Sequence, residues 1–215
     1  MKKKSILLTL GIALAVWQVT SASSPKFMEA MQQKIGQMYQ SQTSQEFVDA
    51  ANAFERIAKA EPEKWEPVYY AAYSYINAGM RAETPEKKDQ LLDKALELAN
   101  IEMAGTTELA EFAVLKGWVY SIKISVDPAN RGQEYSQKAY TEIGKALQMT
   151  PENPRAAFMK ASMDFGTAKF FGNDPSGICE QFVKAQQLAE KEEMKSPLWP
   201  AWASGAIGYY LQQCK

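Results

Sequence analysis

The sequence predicts an all-α protein: about nine helices in stacked antiparallel hairpins, with the last helix capping the array. Three observations predict it. Apolar residues recur at steps of three and four through most of the chain, as they do on one face of a helix. No segment shows sustained period-two alternation, so no sheet is expected. Prolines stand where turns and first helical turns want them, and small alanines recur beside large rings, which suits close helix packing.

The elements follow in order. Phe27, Met31, Ile35 and Met38 mark one face of a helix over 25–39. Thr43 and Glu46 form a capping box for the second, whose face carries Phe47, Ala50, Ala51, Phe54, Ile57 and Ala58. Pro62 and Pro67 bracket a turn. In the third helix Val68, Ala71, Ala72 and Tyr75 make one side and Tyr69, Tyr73, Ile76 and Asn77 another, with Gly79 as a stop. Thr84-Pro85 opens a fourth helix carrying Leu91, Leu92, Ala95, Leu96, Leu98 and Ala99, and Gly105 breaks it. Phe112, Leu115, Val119 and Ile122 predict a helix over 109–125. Tyr135, Ala139, Ile143, Ala146 and Leu147 predict another over 131–149. Past the turn 150–154, a helix over 155–171 stops at Gly172-Asn173. Asp174-Pro175 caps one over 176–194, and Ser196-Pro197 opens the last, ending near Cys214.

Length and composition fit one domain or one short repeat array: 215 residues, 46% hydrophobic and 11% aromatic, enough for a sizeable core. The net charge of −1 offers no basic excess to neutralise phosphates, so nucleic acid is a poor partner. Histidine is absent, which removes every His-dependent triad and the usual zinc ligand sets. No catalytic residues, metal site or cofactor are expected.

The N-terminus reads as a signal peptide over 1–22. Lys2, Lys3 and Lys4 precede an apolar run from Ser5 to Val16, and Thr20-Ser21-Ala22 offers the small residues of a cleavage site. The run is shorter than the roughly 20 residues a spanning helix needs. Cleavage after Ala22 leaves residues 23–215 as the helical domain, with a net charge of −4 and no stable membrane span. The mature protein is expected in the periplasm or outside the cell.

Ala50, Phe54 and Pro62, followed by Ala72 and Tyr75, stand at the offsets of a tetratricopeptide repeat, whose period is about 34 residues. The pattern recurs at Ala139, Ile143, Ala146 and Pro151, and more weakly at Phe182 and Ala185. Asn100 stands where the middle copy should have proline. The chain therefore resembles a degenerate tetratricopeptide-like α-solenoid. It also looks like small exported repeat proteins of Bacteroidetes-type bacteria. The resemblance implies that first helices line a concave face, which places Tyr69, Tyr73, Asn77, Val114, Trp118, Arg155, Phe158 and Ser162 as candidate binding residues. Tyrosine, tryptophan and arginine make hot spots in recognition; the plainer reading is that these rings belong to the core between helices. No paired lysine–asparagine clamp for a C-terminal carboxylate is evident.

Cys179 lies near the start of one predicted helix and Cys214 at the end of the next. Antiparallel packing would bring them together, and an oxidising compartment would close the bond; two reduced thiols are the alternative. Glu192-Glu193 and Glu61, Glu63 and Glu66 read as a solvated acidic face rather than acid–base machinery. The function expected from all this is a non-catalytic envelope scaffold that binds a protein or peptide on its concave face. The alternatives are a small-ligand binder, less readily an enzyme, with a pocket closed by the C-terminal aromatic helix, and a structural subunit of an envelope assembly.

Overall fold

The computed structural model describes residues 24–100 and 106–214, so the expected signal segment and the expected break at Gly105 lie outside the described residues. Among the described residues there are nine α-helices and no strand. They are α1 (Pro25–Gln40), α2 (Ser44–Ala60), α3 (Glu66–Met80), α4 (Pro85–Ala99), α5 (Thr106–Val126), α6 (Pro128–Met149), α7 (Pro154–Phe170), α8 (Cys179–Lys191) and α9 (Ala203–Gln213).

Local chemistry sets most ends. Thr43 and Glu46 complete the expected capping box of α2, and Thr84, Asp127 and Asn153 cap α4, α6 and α7 with side-chain oxygens, each followed by proline in the first turn. Helix α7 ends on Gly172, at φ +71°, with Asn173 N–H donating to the Ala168 carbonyl and Gly172 N–H to that of Lys169. That is the Schellman arrangement, and it needs a residue free to adopt positive φ.

Each helix packs on the next, and the odd-numbered helices also touch one another in series: α1 on α3, α3 on α5, α5 on α7, α7 on α9. Among the described residues the even-numbered helices make no such row. This is an α-solenoid, with the odd helices forming an inner layer. The packing explains composition. In α3 thirteen consecutive residues, Pro67 to Gly79, are buried, so that helix must be apolar or small on every side. In α2 and α4 only one face is buried.

Five boundaries differ from expectation, the first being α5, which begins at Thr106 rather than at 109. Gly79 lies inside α3; a Cβ there would meet the Leu92 side chain at 3.1 Å, so the glycine admits α4 rather than ending α3. Helix α6 starts at Pro128, because Asp127 caps it. The helix expected over 176–194 is a 3₁₀ turn, Ser176–Ile178, followed by α8, since the Asp174 side chain folds back onto Ser176. The last helix begins at Ala203 and not at Ser196. Pro197 and Pro200 keep the residues before them out of helical geometry, and the segment 192–202 crosses the inner layer as an irregular strap.

Candidate functional site

The strap decides what the inner layer can offer. Arg155 on α7 is 1% exposed and donates through all its N–H groups. Nε and Nη2 reach Glu111 of α5 at 2.7 and 2.9 Å, and Nη1 reaches Glu192 at 2.8 Å and the Pro200 carbonyl at 2.7 Å. Nη2 also donates to Glu192. Asn153 donates to Glu111 at 2.7 Å and Trp199 Nε1 to Glu192 at 3.0 Å. Glu192 is therefore no part of a solvated face: it pins the strap. Burial alone would lower the Arg155 guanidinium, but Glu192 and Glu111 outweigh it and hold it above its usual range.

Two further bonds seat the strap on α3. Tyr70 donates to the Leu198 carbonyl at 3.0 Å, and Trp202 Nε1 donates to the Tyr69 hydroxyl at 2.8 Å. Burial pushes the Tyr69, Tyr70 and Tyr73 phenols well above their ordinary range, so they stay neutral. Of the eight candidate binding residues, Tyr69 and Arg155 are buried and bonded to this strap, Tyr73 is buried with its ring 6.0 Å from that of Trp202, and Asn77 and Val114 are buried within the array. The chain fills that part of its own inner face.

The other three, Trp118, Phe158 and Ser162, line a cavity of about 1120 Å³ at the C-terminal end of the array. Its floor is the ring cluster where strap and inner layer meet. Trp202 stacks on Trp118 at 4.9 Å between centroids, and Phe158 stands 6.2 Å from Trp202. One wall is α9, with Ala206, Tyr209 and Tyr210; the opposite wall is α5 and α6; α7 contributes Met159, Met163 and Gly166. Tyr210 stacks on Phe182 at 4.7 Å and accepts from Ser162 Oγ at 2.9 Å, which fixes its ring. Tyr140 of α6 donates to Asp164 at 2.9 Å; burial first, with that carboxylate adding, holds its phenol above the usual range. At the mouth Phe170, Phe171 and Tyr209 are 70%, 69% and 63% exposed. Three large rings in water beside an apolar cavity are a feature that needs a reason.

The expected bond between Cys179 and Cys214 is present, joining the start of α8 to the end of α9. It ties down the helix that forms the cavity wall. Among the described residues no cluster of acids, cysteines or histidines could hold a metal ion, and no helix is long and apolar enough to cross a membrane. The contribution of α6 to the site, through Gln133, Ser136 and Tyr140, had no signal in the sequence. Tyr140 sits between core residues at helical spacing and reads like any of them.

Fold and cavity define an all-α hairpin array with one large apolar chamber under its capping helix. A comparison with solved structures finds the chain similar to the HusA haemophore from Porphyromonas gingivalis. The TM-score is 0.77 and the identity 25%, over 88% of this chain and 92% of that one. No family model matches the chain, and no curated protein does. The resemblance to tetratricopeptide repeats thus has no family match behind it; the solenoid architecture stands on the helix packing itself.

Proposed function

We propose that this protein binds a flat, largely apolar small molecule of the tetrapyrrole class, haem foremost, in the cavity under α9. The observation that carries the reading is an aromatic- and methionine-lined chamber of about 1120 Å³ in a fold similar to a haemophore. That volume lies just above the common range for small-molecule sites, about 300–1,000 Å³. Its rings offer faces for stacking, and Met159 and Met163 offer polarisable surface. The chain has no histidine and its two cysteines are joined. An iron ligand from the protein would therefore come most readily from a methionine thioether such as Met159 or Met163, since Tyr140 holds its proton against Asp164. Binding without catalysis agrees with the lack of any acid–base or nucleophile constellation in the sequence.

A peptide held in the same cavity is the second reading, favoured by the exposed Phe170, Phe171 and Tyr209 at the mouth. Titration separates the two. Haem and metal-free protoporphyrin should each saturate the purified protein with a shifted Soret band. Gly166→Trp should weaken both at least about tenfold. Gly166 lines the cavity, and a Cβ added there would meet nothing within 4 Å, so the indole can occupy ligand space. No Soret shift with either compound sinks the tetrapyrrole reading.

A further inference from the structure

The cavity is polarised. Toward α7, α9 and the strap its lining is mostly apolar, with Met163, Phe170, Trp202 and Tyr209 and only Ser162 and Thr167 as aliphatic polar members; toward α4, α5 and α6 the apolar Trp118, Ile122 and Ile124 are joined by Lys88, Ser121, Ser125, Gln133 and Ser136. Among these lining residues Lys88 alone is charged. Ser121 and Ser125 turn their protons to the carbonyls of Trp118 and Ile122, both at 2.7 Å, so they present acceptors and cannot hold an anion.

Lys88 is also unpartnered among the described residues: it forms no ion pair and no side-chain hydrogen bond. The sequence around it accounts for this. Positions three and four residues away hold Thr84, Pro85, Leu91 and Leu92, none of them acidic. The neighbouring carboxylates of α4 are taken: Asp89 accepts from Arg131 at 2.7 Å and Lys123 at 3.1 Å, and Asp93 pairs with Lys123 at 2.8 Å. A half-buried lysine left unpaired at one end of an otherwise uncharged chamber awaits a negative group.

Granted a tetrapyrrole in the cavity, we infer that it lies with an acidic edge toward Lys88 and its apolar edge against α7 and α9, so that Lys88 selects ligands bearing a carboxylate. Lys88 orients and discriminates; the rings supply the bulk of the affinity. Raising the salt concentration should erode this selection, since a half-exposed ion pair is screened.

Protoporphyrin and its dimethyl ester test the inference, because they share the ring and differ only in the two carboxylates. The wild-type protein should prefer the acid. Lys88→Ala should weaken the acid by up to about fivefold and Lys88→Glu by about tenfold, with the ester unchanged by either. An unchanged thermal midpoint shows that the variants are folded. If acid and ester bind equally, or Lys88→Glu weakens both alike or neither, the inference is overturned while the tetrapyrrole reading stands. If neither compound binds, that reading falls and the inference with it.

Discussion

Arg155 is the residue on which most of the C-terminal third converges. A guanidinium has five N–H donors, and here every one finds a protein acceptor, on α5, on Glu192 and on the strap's Pro200 carbonyl. Glu111, its partner, is 0% exposed. Removing the cation leaves that carboxylate buried and uncompensated. Arg155→Ala should therefore cost about 3–5 kcal/mol in urea unfolding. Arg155→Met together with Glu111→Leu should recover a large part, since a well-packed apolar pair can replace a buried ion pair. A loss under about 1 kcal/mol for Arg155→Ala would mean the cluster is far wetter than its burial implies. Close approach also governs single glycines. At Gly117 a Cβ would sit 2.7 Å from Cγ1 of Ile143, so this position sets how near α5 and α6 can come.

At the scale of elements, α9 is the piece that makes a chamber out of a groove. It packs on α8 and α7 and is held at its far end by the Cys179–Cys214 bond, across a sequence separation of 35. A loop of that length gains about 4 kcal/mol from closure in the chain-entropy model. Cys179→Ser with Cys214→Ser should lower unfolding stability by about 2–4 kcal/mol. Because Tyr209 and Tyr210 ride on α9, the same variant should also loosen ligand binding. Titrating the double variant with protoporphyrin, at a temperature where it remains folded, checks this. Unchanged affinity would show that the stacking of Tyr210 on Phe182 holds the wall unaided.

At the scale of the whole molecule, the solenoid is closed on its inner face by its own strap and left open at one end. A protein of this shape suits capture of a small ligand better than a long peptide, since the strap already occupies the part of the inner layer around Tyr69, Tyr70 and Arg155. The leader-like segment 1–22 predicts that the chain is exported. Intact-mass measurement of the protein recovered from an expressing cell's envelope or medium should find a chain beginning at Ser23. Retention of residues 1–22 would argue for an anchored form instead.

Much of the architecture was legible in the chain because helices are specified locally. The steps of three and four from Phe27 to Met38, the Thr43–Glu46 box and the first-turn prolines of α1, α3, α4, α6 and α7 act within a few residues of each other, so they are local signals in the sequence. The disulfide was legible for a similar reason: two antiparallel neighbours must bring Cys179 and Cys214 to one end. Tyr69 and Tyr73 were read as candidates for an open concave face, yet nothing nearby in sequence announces the strap that packs on them. Arg155 meets Pro200 across 45 residues, Tyr70 meets Leu198 across 128 and Trp202 meets Tyr69 across 133. Periodicity carries no information on partners that distant. By itself the sequence determined an all-α hairpin array, because backbone hydrogen bonding and amphipathic spacing are short-range. The tertiary structure alone decided which part of the inner face was filled and which was left as a chamber, because that depends on where an irregular, proline-bearing segment finds its long-range hydrogen-bond partners.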